Sequence, residues 1–224
     1  RGPVIAGGPG DVADALQDAM EAAISTVPTF GGNVVVCPDV SGSMGSPVTG
    51  YRPGATSTVR CIDVAALVAA SFLRRNRFTR VLPFENHVVR VQLNGRDSVM
   101  TNAAKLAAVG GGGTNCSAPL KLLADEKAKV DLGVFVSDNQ SWMDARGGGQ
   151  ATGMMSEWAR IKKLNPAAKL VCLDIQPYVQ TPAKGADVLN IGGFSDAVYG
   201  AITSFAAGKS GPDEWLRRIE AIDL

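Results

Sequence analysis

Asp39-Val40-Ser41-Gly42-Ser43 sets a carboxylate and two hydroxyls at alternate positions of a short polar run, directly behind the apolar stretch Val34-Val35-Val36-Cys37. Two more polar clusters stand at comparable places: Gly112-Gly113-Thr114-Asn115, and Ser137-Asp138-Asn139 behind Leu132-Gly133-Val134-Phe135-Val136. Asp39, Ser41, Ser43, Thr114 and Asp138 offer oxygen ligands only. Hard divalent cations take oxygen ligands, and Mg²⁺ holds them in near-octahedral geometry at about 2.0–2.1 Å; Mn²⁺ and Ca²⁺ share the preference for oxygen. Alternate spacing on a turning loop directs Asp39, Ser41 and Ser43 toward one point. Gly42 allows the tight turn, and the glycines at 111–113 let the Thr114 loop come close. Carboxylates at only Asp39 and Asp138, helped by neutral hydroxyls, leave such an ion under-neutralised, with a position open to an outside carboxylate or phosphate oxygen.

Each cluster alone has a plainer reading. Asp and Ser are common in turns and helix caps. Asp138 could cap a helix, and the glycine run could be a flexible loop. It is not a phosphate-binding P-loop, because no Gly-Lys-Ser/Thr follows. The metal reading rests on all three clusters, in order, at one side of one sheet.

The elements that must place them are legible from periodicity. Dense apolar runs at 33–37, 131–139, 168–175 and 186–191 read as strands buried on both faces. Helical spacing marks 11–26, 61–76, 97–108, 152–164, 195–207 and 212–222, with a further helix starting near 117–119. The runs 78–84 and 88–93, joined by Glu85-Asn86-His87, predict an antiparallel hairpin at a sheet edge. Strands alternating with helices predict a three-layer, doubly wound α/β fold, mostly parallel, with one antiparallel edge strand. Such sheets bind ligands beyond the carboxyl ends of their strands, where the three clusters fall. The expected organisation is a helical lead-in at 1–29, the α/β domain at 30–208 and a helical tail at 209–224.

Composition excludes several classes. The chain has 224 residues, 46% hydrophobic and 19% charged, with a formal net charge of +1. That suits one domain with a sizeable core and gives no bulk charge for nucleic acid or membrane. No run approaches the ~20 apolar residues of a membrane span, and the first residues do not form a signal peptide. Cys37, Cys61, Cys116 and Cys172 are widely spaced, which suggests free thiols in the cytoplasm. A single histidine, His87, argues against a His-ligated zinc site. Missing an initiator Met, the chain reads as a fragment.

The order DVSGSM, GGT, SDN resembles the metal-ion-dependent adhesion site of von Willebrand factor A domains, over about residues 30–207. The resemblance implies direct ligation by Ser41 and Ser43. It gives Thr114 a direct or water-borne contact, and Asp39 and Asp138 links mainly through water. Gly113, Asn115, Asn139, Tyr51 and Arg52 border that face as candidate ligand-binding residues. A narrower resemblance joins GGTNCSAPL at 112–120, FVSDNQSW at 135–142 and AALVAASF at 65–72 to the Ro/TROVE ribonucleoprotein family. It implies a parent protein in which a ring of helical repeats binds small non-coding RNA, for binding or quality control. With about 30 residues before its first strand, this chain is expected to lack that ring.

The expected ligand of the ion is therefore an acidic residue of a protein partner, or of the parent's missing domain, with RNA reached through the parent. A stand-alone protein-interaction module is the alternative. A Mg²⁺-dependent phosphoester hydrolase is the remaining one, and it is disfavoured: no general base, Walker loop or second carboxylate set accompanies the cluster, with Asp174 the one extra candidate.

Overall fold

The computed structural model describes residues 18, 21–22, 24–50, 54, 57–138, 152–177, 185–195 and 197–209. Most of the expected lead-in helix and all of the helix expected at 212–222 lie outside the described residues, as do Tyr51, Arg52 and Asn139.

Five strands form one sheet: β1 Val34–Pro38, β2 Thr79–Val81, β3 Leu132–Ser137, β4 Lys169–Asp174 and β5 Val188–Gly192. Their order is β2-β1-β3-β4-β5, and every pair is parallel. The helices are α1 Cys61–Arg75, α2 Val99–Ala107, α3 Ser117–Asp125, α4 Thr152–Leu164 and α5 Ala197–Ala206. β1 and β3 are buried at every position, as parallel strands covered on both faces must be.

The pleat divides the core. Val34 and Val36 of β1 join Val134 and Val136 of β3 beneath α1, α2 and α5. Val35, Cys37 and Phe135 point the other way, against Leu120 and Leu123 of α3 and Trp158 and Ile161 of α4. α1 is well started: Asp63 accepts from the Arg60 backbone amide at 2.9 Å and from its guanidinium at 2.7 Å. The Asp63 carboxylate thereby satisfies the backbone donor at the residue preceding the helix.

The expected antiparallel edge strand is not formed. β2 stops at Val81, and residues 88–93 carry only one antiparallel bridge, Phe84 to Val88. Pro83 supplies the reason. The Leu82 and Phe84 amides donate inward to β1, at the Val36 and Pro38 carbonyls. Pro83 therefore faces the outer chain, where its carbonyl accepts from the Val89 amide at 2.8 Å. The return bond needs an N–H that proline lacks, so the ladder fails at its first full rung.

Among the described residues no helix is long and apolar enough to cross a membrane.

Candidate metal centre

Because β1 and β3 are parallel neighbours in register, Cys37 beside Phe135 and Pro38 beside Val136, the residues leaving them emerge side by side. Asp39 continues the pairing, its amide donating to the Val136 carbonyl at 2.9 Å. Asp39 and Asp138 are both fully buried. A buried carboxylate is costly unless it is hydrogen-bonded or offset by positive charge.

The Asp39 carboxylate is held from two sides. Oδ1 accepts from the Ser41 amide at 2.9 Å, and Oδ2 accepts from the Ser137 hydroxyl at 2.9 Å. The first bond curls the loop immediately after the strand. A 3₁₀ turn, Gly42–Gly45, follows. Met44 anchors it in the core with no exposed surface. Within this turn the Ser41 and Ser43 hydroxyl oxygens lie 3.3 Å apart. These two side chains share a direction.

The glycine loop docks onto this turn. The Gly42 amide donates to the Gly112 carbonyl at 3.1 Å, and the Gly111 amide to Val40 at 3.2 Å. Gly112 has φ of +73°, and a Cβ there would fall 1.3 Å from Glu85 Oε2. A Cβ on Gly113 would fall 2.6 Å from Asn86 Oδ1. The positive φ favours glycine at 112, and at both positions the bare backbone lets the loop lie close to Glu85 and Asn86. Thr114 follows half-buried.

Asn115 is turned to structural work. Its amide donates to Glu85 O at 2.7 Å and its Nδ2 to Asn86 O at 3.2 Å, while its Oδ1 accepts from the Ser117 hydroxyl at 2.7 Å. It pins the start of α3 to the 85–87 turn. Ser137, Glu85 and Asn86 are the contributors that sequence reasoning passed over. Ser137 did carry a signal, a hydroxyl immediately before Asp138.

The field of the two carboxylates is felt nearby. The Cys61 thiol is pushed up by burial first, and the charges of Asp138 and Asp39 push the same way against a hydrogen bond from Ser46. Among the described residues no three His, Cys, Asp or Glu side chains group together as a metal site. A cation here would have to use the hydroxyls, and an all-oxygen set of two acids with serine and threonine suits a hard ion.

The arginines near the end of α1 are largely used within the fold. Arg74 reaches Glu21, Arg75 the Val27 carbonyl, and Arg80 forms an ion pair with Glu126. Trp158 is a core residue whose indole donates to Asp187 at 2.8 Å.

Comparison with known proteins places the fold. The chain is 26% identical over 198 residues to "RNA-binding protein RO60" of Deinococcus radiodurans, covering 88% of this chain and 36% of that protein. It is 24% identical over 205 residues to the Caenorhabditis elegans protein of the same name, covering 88% of this chain and 30% of that one. The chain thus spans about a third of these curated relatives. The crystal structure of the Deinococcus radiodurans RO (RSR) protein superposes with a TM-score of 0.69 at 25% identity, over 90% of this chain and 39% of that one. The family model described as the Ro60 vWA domain matches residues 33–206, so the chain belongs to the Ro60 vWA domain family.

Proposed function

We propose that this domain binds one divalent cation, Mg²⁺ by preference with Mn²⁺ or Ca²⁺ as substitutes, and uses it to hold an acidic side chain. Ser41, Ser43 and Thr114 would hold the ion, with Asp39 and Asp138 behind them. The ion would supply a Lewis-acidic position for an anionic oxygen. The observation that carries the reading is the double fixing of the buried Asp39 carboxylate, by Ser41 N and Ser137 Oγ at 2.9 Å each. This orients a charge beneath the 3₁₀ turn that presents the two serine hydroxyls.

The acidic group would come from a protein partner, or from another part of a longer Ro60-family parent. Small non-coding RNA would be gripped mainly by that other part. We read the domain as a binding module and not as an enzyme, because the two buried acids among the described residues of the cluster, Asp39 and Asp138, are the ones the ion would use. Asp174, the extra acid considered, lies in register with Ser137 at the end of β4, and its carbonyl accepts from the Gly193 amide at 2.7 Å.

A ligand that binds only the folded state stabilises it by about 2.7 kcal/mol at a hundred times its Kd. For a chain of this size that is a rise in Tm of about 5–10 °C. Thermal melts against MgCl₂ should show it, and Asp39→Ala should abolish it, each protein being compared with its own metal-free melt, which the loss of two buried hydrogen bonds lowers in the variant. An unchanged metal response in Asp39→Ala would place the ion elsewhere.

A further inference from the structure

Residues 88–93 were expected to complete the sheet, and they keep the side-chain pattern of a strand without its ladder. Val89, Val91 and Leu93 pack on the core. Arg90 and Gln92, between them, are exposed. After the Val89 amide bond to Pro83, the backbone groups of residues 90–93 make no hydrogen bond among the described residues. With the Val89 amide turned to Pro83, an extended course through this segment would turn the N–H and C=O of Val88, Arg90 and Gln92 to the opposite side. Open grooves flank this segment: one of about 940 Å³ shared with residues 80–82 and α3, and one of about 800 Å³ shared with Asp97 and Lys105, and Arg90, Val91 and Gln92 line both. An open edge of this kind is a template for another strand.

Charge selects the occupant. The acids along the grooves already have cations: Asp97 pairs with Lys105, Asp125 with Lys121 and Arg160, and Glu126 with Arg80. Arg90, common to both grooves, is in no ion pair among the described residues. We infer that residues 88–93 take up an extended, acidic peptide segment of a protein partner as an added edge strand, with a carboxylate of that segment set against Arg90. This surface borders the candidate metal centre at Asn86 and Asn115, and the inference does not depend on a metal ion. A like-charged strand is disfavoured by Arg90, and a long apolar one is not specified by anything exposed at positions 90 and 92.

The probe is the peptide acetyl-Val-Glu-Val-Thr-Val-Glu-Val-amide, compared with its counterpart carrying Lys at both Glu positions. Binding is followed by NMR of the whole chain, together with amide hydrogen exchange. The Glu peptide should slow exchange at Arg90 and Gln92 and bind about tenfold tighter than the Lys peptide, since opposite charges across a strand pair attract and like charges repel. Arg90→Glu should reverse that order. Gln92→Pro, which removes an outward N–H, should weaken both peptides, and an unchanged melt should show that it folds. The inference is overturned if the Arg90 and Gln92 amides are already protected in the free protein. It is equally overturned if the two peptides bind alike in both the parent chain and Arg90→Glu. Structured RNA that binds in an Arg90-dependent way while neither peptide does would also overturn it, in favour of a nucleic-acid contact.

Discussion

Ser137 and Asp39 are 98 positions apart in the chain, and the hydroxyl of the first donates to Oδ2 of the second at 2.9 Å in a buried setting. The bond crosses the β1–β3 pair at the point where both strands end. It couples the segment carrying Asp138 to the loop carrying Ser41 and Ser43, so that two distant stretches act as one oxygen cluster. Its partner bond, from the Ser41 amide to Oδ1, leaves the carboxylate little freedom to rotate.

Ser137→Ala removes one hydrogen bond to a buried charge. Such bonds contribute about 1.5–3 kcal/mol. Part of this would appear as lower stability and part as a rise in the Mg²⁺ Kd of about tenfold, roughly 1.4 kcal/mol. Ser137→Thr keeps the hydroxyl and should restore most of the affinity. Isothermal titration of the three proteins with MgCl₂ checks this. Equal affinities for the parent chain and Ser137→Ala would show that Asp39 needs no fixing.

Gly112→Ala adds a Cβ where Glu85 Oε2 stands, at a φ that L-residues rarely adopt. Backbone strain alone costs about 1–2 kcal/mol, and the clash adds to it. Removing the obstacle with Glu85→Ala should recover the steric part and leave the strain. A double-mutant cycle by urea unfolding separates the two. Additive losses would mean that the loop and Glu85 are not in contact.

RNA binding by this domain alone should be weak. The formal net charge is +1, and most cations beside the end of α1 are paired internally. Sequence-independent affinity needs several free phosphate contacts and falls steeply with salt. Titration with structured small RNA at physiological salt, with and without Mg²⁺, should give no saturation below about 1 μM, a level that already takes roughly 8 kcal/mol of binding energy. Tighter binding that Ser41→Ala abolishes would turn the oxygen cluster into an RNA site.

The four cysteines are free and buried. Burial pushes the Cys37 and Cys172 thiols well up, and for Cys172 the nearby Asp174 and Cys37 add to it. Thiolate is the reactive form. Alkylation of the native protein at pH 8 should therefore be slow, and mass spectrometry after unfolding should show all four cysteines modified without prior reduction. An intact Cys37–Cys172 disulfide would contradict the fold, in which β3 separates their strands.

Much of this protein could be read from its sequence by itself. Runs such as Val34-Val35-Val36-Cys37 announce strands covered on both faces, because they are short, β-branched and apolar at successive positions. The alternation of these runs with helical periodicity then implies a parallel sheet. The topology in turn puts Asp39, Ser41, Thr114 and Asp138 at one end of it. Local spacing also sufficed for the Ser41–Ser43 pair, which sits within a single turn. Tertiary structure decided the rest. Whether residues 88–93 pair with β2 depended on which way Pro83 faces, and that is set by the bonds Leu82 and Phe84 make to β1. Asn115 lies in the right motif, yet its side chain is taken by Asn86 and Ser117, which only the packing of the 85–87 turn brings to it. Ser137 reaches Asp39 because of the β1–β3 register, a long-range property that no local pattern encodes.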